Sequence, residues 1–230
     1  MPAKKKTKKS TFLRHAAITA VVTATSAFWI IKSGAVTFTL PAYKSAEIID
    51  GDTFITEERR HIRLASVSAP ELEQCGGEAA KTALSQLISG KPLYIKVLFN
   101  DKYGRLISLV YTEDGLVNQK LLEQGSVYYS GSSNEPKGIS QAAASARDQD
   151  IGIFGSPCTQ TTNPKNKTCL IKGNNRLHSG GSRLYSFPGC RVYDLTAVQL
   201  YLGDQWFCTE KEAQKAGYTR SSDCFDRKWK

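Results

Sequence analysis

Asp50-Gly51-Asp52-Thr53, then Arg63-Leu64-Ala65-Ser66-Val67-Ser68-Ala69-Pro70-Glu71, then Asp101-Lys102-Tyr103-Gly104-Arg105 decide how this 230-residue chain is read. Together they supply acids, two arginines and tight glycine turns, the parts that metal-assisted chemistry on a phosphodiester needs. Around them the apolar pattern is that of strands. Residues 44–50 alternate in part, 53–56 follow a Gly-Asp turn, and 61–67 alternate Ile62, Leu64 and Ser66 against Arg63, Ala65 and Val67. A helix is expected over 76–89, with Ala80, Ala83, Leu84, Leu87 and Ile88 on one face and Gly90 stopping it. Strands follow at 93–99 and 106–112, joined by the Asp-Lys-Tyr-Gly-Arg turn, and further helices at 117–123 and 139–150. The expected class is therefore α+β: a five-stranded barrel of the OB type with three helices over residues 41–158.

In this order and spacing the three runs resemble the staphylococcal nuclease (thermonuclease) family, whose pattern is D-G-D-T, I-R-L-x-x-x-D-x-P-E and D-x-Y-G-R. The likeness extends over roughly residues 44–155 and implies the same barrel. It makes Asp52 a direct ligand of Ca2+, with the backbone carbonyl of Ala69 beside it and Asp50 in support. Arg63 and Arg105 become the clamps on the phosphate, and Glu71 the base that takes a proton from the attacking water. Lys102 and Tyr103 fall at positions near the nucleotide. One position departs from the pattern, because the second metal-binding aspartate of the family is Ser68 here.

The residues read alone point the same way. A carboxylate set suits a hard cation, and a planar guanidinium meets phosphate oxygens two at a time where lysine cannot. Asp-Gly-Asp-Thr is also ordinary turn chemistry, and Arg63 in an apolar strand needs a partner, for which Glu71 and Asp52 are the candidates. Pro70 stiffens the loop end that carries Glu71. His15, His61 and His178 have no metal spacing.

The formal net charge is +10, of which Lys4, Lys5, Lys6, Lys8, Lys9 and Arg14 supply six, so the bulk charge is mostly a property of the leader. Residues 16–31 carry no charge, and residues 1–40 therefore read as a basic leader with a signal anchor or transmembrane helix, lysines toward the cytoplasm. Cleavage near Thr25-Ser26-Ala27 is the alternative, leaving a secreted chain. Either route puts the remainder outside the cytoplasm, anchored in the bacterial envelope in the first case and secreted in the second.

Residues 159–167 are polar and lack aliphatic side chains, which marks a linker. Residues 168–230 form a second, small α+β unit. Thr209 and Glu212 make a capping box and Gly217 ends a short helix. With Ile171-Lys172-Gly173-Asn174, Pro188-Gly189-Cys190 and Trp206-Phe207-Cys208, it resembles a C-terminal module attached to some bacterial envelope nucleases. Residues 207–218 are more distantly similar to the zinc-binding module of an alkylation-repair protein, without its close cysteine doublets.

Six cysteines with no Cys-x-x-Cys pair favour disulfides in an oxidising compartment. Cys75 in the loop after Glu71 is paired with Cys158 beyond the last barrel helix. Cys208 and Cys224 flank the capped helix and are paired, which leaves Cys169 with Cys190. Four-cysteine zinc is the rival for the last four.

These readings converge on an extracytoplasmic, calcium-dependent endonuclease that hydrolyses DNA, and RNA as a possible second substrate, to 3′-phosphates. Its membrane contact would run through the N-terminal helix, with an envelope partner for the C-terminal module. Two rivals stay open because of Ser68: a barrel that binds single strands without chemistry, and an envelope interaction protein.

Overall fold

The structure, a computed structural model, describes residues 41–131, 136, 138–177, 180–224 and 229. The leader and anchor expected for residues 1–40 lie outside the described residues. Among those described, no helix is long and apolar enough to cross a membrane.

The chain opens with β1 (Ala42–Tyr43), β2 (Ser45–Ile48), β3 (Thr53–Thr56), β4 (His61–Leu64) and β5 (Val67–Ser68). Then come α1 (Gly77–Ile88), β6 (Leu93–Asn100), β7 (Leu106–Thr112), β8 (Gly115–Leu116), α2 (Val117–Glu123), β9 (Tyr128–Tyr129) and α3 (Ile139–Asp148). The main sheet runs β1-β6-β7-β4-β3-β2 with β8 on β7, a nearly closed barrel of OB type. β4 and β7 are parallel, with Ile62 opposite Leu106 and Arg63 opposite Ile107; β3 and β4 are antiparallel, with Thr53 opposite Arg63. All five expected strand runs are present, with β1 and β8 as short additions.

Alternation explains what fills the barrel. Phe54, Ile62, Leu64, Leu93, Ile95 and Val110 share the inward face and are buried, while Leu109, on the other face of β7, is buried as well. Ala80, Leu84 and Ile88 of α1 close it on one side, and Val117, Leu121 and Leu122 of α2 on another. Asn118 is fully buried and donates to the Ala65 and Ser108 carbonyls at 2.9 and 3.1 Å while accepting from the Val110 amide at 3.0 Å. One side chain thus satisfies three backbone groups where the ladder is interrupted. The run 61–67 does not stay a strand. It ends at Leu64, turns through Ser66 at φ 63°, and restarts as β5, which pairs with β9 so that Ser68 faces Tyr128.

Beyond the barrel lie β10 (Thr159–Gln160), β11 (Ile171–Asn175), β12 (Arg183–Ser186), β13 (Val198–Gln199), β14 (Gln205–Phe207), α4 (Glu210–Lys215) and β15 (Thr219–Arg220). A four-stranded sheet, β14-β11-β12-β15, packs Ile171, Tyr185, Phe207 and Tyr218 into a second core with Ala213 of α4. Thr209 caps α4 by accepting from the Glu212 amide at 3.2 Å, and the Glu212 carboxylate reaches back to the Cys208 amide at 2.9 Å.

Residues 159–167 are not a loose tether. β10 pairs with β13, and Asn163 is buried, its Oδ1 accepting from the Lys165 and Asn166 amides while its Nδ2 donates to the Cys169 carbonyl. The described residues all belong to one compact unit.

Cys75 is bonded to Cys158. The other four cysteines depart from the sequence-based pairing: Cys169 joins Cys208, and Cys190 joins Cys224. The cause is strand register, since β11 and β14 are antiparallel with Ile171 opposite Phe207, which delivers Cys169 to Cys208. Cys190 meets Cys224 because the Asp223 backbone and carboxylate accept from the Arg191 and Val192 amides. With no described cysteine free, the four-cysteine zinc site is ruled out. Cys190, Asp223 and Cys224 do cluster, but the two sulfurs are bonded to each other.

Candidate active site

The site grows from the β3–β4 edge. Asp52 lies at the start of β3, 2% exposed, because the Asp50 carboxylate accepts its amide at 2.9 Å and folds the turn inward. Its own carboxylate Oδ1 accepts from the Thr53 hydroxyl at 2.7 Å and forms an ion pair with Arg63, while Oδ2 accepts from the Ala69 amide at 2.8 Å. Arg63 needs this partner in an apolar strand, so its companion is Asp52 rather than Glu71. A second guanidinium nitrogen donates to the Ser68 hydroxyl at 3.1 Å. Burial pushes the Asp52 carboxyl up to about 6; Arg63 opposes this, Asp50 adds to it, and the Ala69 and Thr53 hydrogen bonds oppose it.

Tyr128 joins the other parts. Its phenol shares a hydrogen bond with Ser68 and lies within electrostatic reach of Asp52, Arg63 and Glu71. Burial raises its pKa, with the Ser68 hydrogen bond opposing. Nothing in the sequence motifs marks Tyr128; the signal that would have found it is the β5–β9 pairing, which opposes Tyr128 to Ser68.

Glu71 is exposed on the loop before α1. Its amide donates to Gln74 Oε1 at 3.1 Å and its carbonyl accepts from the Gln74 amide at 2.8 Å. Gly77 lets this loop press onto the first turn of α1, because a Cβ there would sit 2.1 Å from the Glu71 oxygen. The Cys75–Cys158 bond fastens the same loop from behind.

Arg105 is held differently from Arg63. Asp101 takes its backbone amide at 2.9 Å and its side chain at 2.7 and 2.8 Å. Burial would raise the Asp101 carboxyl, but the Arg105 and Tyr103 donors outweigh it and hold it below the usual range. Lys102 and Arg105 both lie over the ring of Tyr103, at 5.0 and 5.4 Å, and Tyr103 is 72% exposed at the hairpin tip. The hairpin adjoins β4 through the Ile62–Leu106 register, which sets Arg105 beside the strand that carries Arg63. A bulge between Val97 and Phe99 turns Phe99 outward, 56% exposed, in one cross-strand row with Ile107 and Arg63.

A hard divalent cation needs oxygen donors. An ionised carboxylate offers about four lone-pair directions, and Asp52 uses three on Thr53, Arg63 and Ala69. The remaining direction on Oδ2 and the neighbouring Asp50 carboxylate are oxygen donors of the kind such an ion takes, with a neutral hydroxyl at Ser68 in place of a further charge.

Comparison with known proteins agrees with this geometry. A family described as staphylococcal nuclease homologue matches residues 61–156. An uncharacterized endonuclease of Escherichia coli O157:H7 is 30% identical over 111 residues, 46% of this chain and 72% of that protein. The chain belongs to the staphylococcal nuclease homologue family. An uncharacterized endonuclease of Haemophilus influenzae is 32% identical over 113 residues, covering 47% of this chain and 63% of the relative. A probable staphylococcal-like nuclease of Oryza sativa subsp. japonica is 30% identical over 87 residues, 38% of this chain and 26% of that protein. The family match takes in Arg63, Ser68, Ala69, Glu71 and the 101–105 hairpin, and it stops before β10.

Proposed function

We propose that this staphylococcal nuclease homologue is an endonuclease that hydrolyses phosphodiester bonds in DNA, with RNA as a second substrate, leaving 3′-phosphates, with Ca2+ held by Asp52 and the Ala69 carbonyl and Asp50 in support. The observation that carries the reading is the buried Asp52 paired to Arg63 in a chain of this family. A cation bound there supplies charge stabilisation at a phosphoryl oxygen. Arg63 is oriented by Asp52 and Ser68, and its other N–H groups meet phosphate oxygens bidentately. Arg105 approaches from the neighbouring hairpin, steadied by Asp101. Glu71 accepts the proton of the attacking water at its exposed carboxylate. Contacts of this kind read phosphate rather than base, so little sequence preference is expected.

Complete pairing of the described cysteines supports a working place in an oxidising compartment, outside the cytoplasm. An N-terminal anchor and an envelope partner for the C-terminal module belong to the same proposal.

The test uses the full chain, oxidised, on denatured DNA in Ca2+ and in chelator, beside Glu71→Gln. Ca2+-dependent cleavage that Glu71→Gln abolishes supports the reading. Salt-sensitive binding with no cleavage at any Ca2+ concentration refutes it and leaves a barrel that only holds its strand.

A further inference from the structure

Residues 200–203, a 3₁₀ turn and the glycine after it, belong to the C-terminal part of the chain yet pack behind the candidate site. The Leu200 amide donates to the Cys158 carbonyl at 2.8 Å, directly at the disulfide partner of Cys75. Tyr201 is 2% exposed. It sits edge-on to Phe154 at 5.8 Å and against Tyr128 at 5.9 Å, in a cluster with Ala146, Ile153 and Cys158. Gly203, at φ 80°, comes so close to Gln74 that a Cβ would lie 3.1 Å from its Nε2. Tyr128 shares a hydrogen bond with Ser68, which Arg63 also holds, and Gln74 accepts the Glu71 amide.

We infer that the C-terminal module is a buttress for the active site, with Tyr201 and the 200–203 turn acting as positioning elements for Tyr128 and the Glu71 loop. The inference rests on the nuclease reading only for its kinetic consequence. Tyr201 touches no reacting group; its ring fills the space behind Tyr128, and the turn limits how far Gln74 withdraws from Glu71. A rigid backing of this kind governs the precision of the site rather than substrate affinity.

Four variants of the full, oxidised chain, in two pairs, test it. Tyr201→Ala removes the ring, and Tyr201→Phe keeps it. Gln74→Leu removes the acceptor for the Glu71 amide, and Gln74→Glu keeps one. Amide hydrogen exchange over residues 68–77 and 128–131 is measured beside kcat and KM on denatured DNA. Tyr201→Ala is expected to speed exchange in both segments at least tenfold, with β6 and β7 unchanged, and to lower kcat about tenfold with KM within twofold. Tyr201→Phe should stay near wild type. If Tyr201→Ala does not fold, the Gln74 pair decides, with kcat lost in Gln74→Leu and restored in Gln74→Glu.

Unchanged exchange in a folded Tyr201→Ala chain overturns the inference, as does faster exchange with wild-type kcat. Equal kcat in the two Gln74 variants does the same. A wild-type chain that cleaves nothing refutes the nuclease reading, and the exchange result still decides whether the buttress exists.

Discussion

Gly77→Ala is the sharpest single test of the site. Gly77 opens α1, and a Cβ added there meets the Glu71 oxygen at 2.1 Å, the Glu71 carbonyl carbon at 2.8 Å and the Leu72 Cα at 2.8 Å. All three are backbone atoms, so no side chain can swing aside. To restore ordinary contact the Glu71 loop must retreat by about 1 Å, a displacement that costs on the order of 10²-fold in rate when it falls on a catalytic group. Stability should change less, because roughly 1–3 kcal/mol of overpacking is partly offset by the better helix propensity of alanine, about 1 kcal/mol. Gly90→Ala is the matched control. It carries left-handed strain at φ 72° but has open space around it, so it should lose stability without moving the loop. Steady-state cleavage of denatured DNA and thermal unfolding of both variants make the assay. The expected outcome is kcat down about a hundredfold in Gly77→Ala and unchanged in Gly90→Ala. Wild-type kcat in a folded Gly77→Ala chain would refute the claim that the position of Glu71 matters.

Ser68→Asp adds a carboxylate beside Asp52 and should strengthen Ca2+ binding about tenfold or more, measured by calorimetry; no gain would mean the ion is not held at this end of β5. Breaking Cys75–Cys158 with serines frees an 83-residue span, worth about 4–5 kcal/mol by chain entropy, which a drop of some 10–15 °C in Tm would register. Phe99→Ala should weaken binding of single strands by about 1–3 kcal/mol with kcat unchanged, because Phe99 shares the Arg63 row about two strand spacings away. In the C-terminal module, burial would raise Glu210 and Asp223, but Tyr185 and Arg220 on one, and Ser221 and Val192 on the other, hold both below the usual range. Their contribution is full above the ordinary carboxylate value of about 4 and disappears as pH falls through the depressed values, so near-ultraviolet dichroism should report loosening only in acid.

The barrel was legible because its strands obey the simplest rule, inward apolar residues every second position, as Ile62 and Leu64 do. α2 could be read to the residue, since Val117 to Glu123 is bounded by a turn and Gly125. Legibility fails where side chains replace the ladder. Residues 159–167 look like a solvated tether by composition, yet Asn163 uses its amide to fold them into a turn. Cysteine pairing failed for a related reason: proximity to α4 along the chain said less than the register of β11 with β14. In the site, Asp52, Arg63 and Glu71 stand in motifs. Tyr128 and Tyr201 enter only through packing between distant segments, which no local pattern encodes.

The Cys75–Cys158 bond also bears on when the protein becomes dangerous. Barrel strands can form as soon as they are made, but the loop bearing Glu71 is not fastened until residue 158 has emerged and an oxidant has acted. A newly made copy surrounded by thiols therefore carries Glu71, the proposed proton acceptor, on a loop without its covalent fastening. Under the placement proposed above, outside the cytoplasm, this one covalent link would close only after export, in the compartment where the chain is proposed to act.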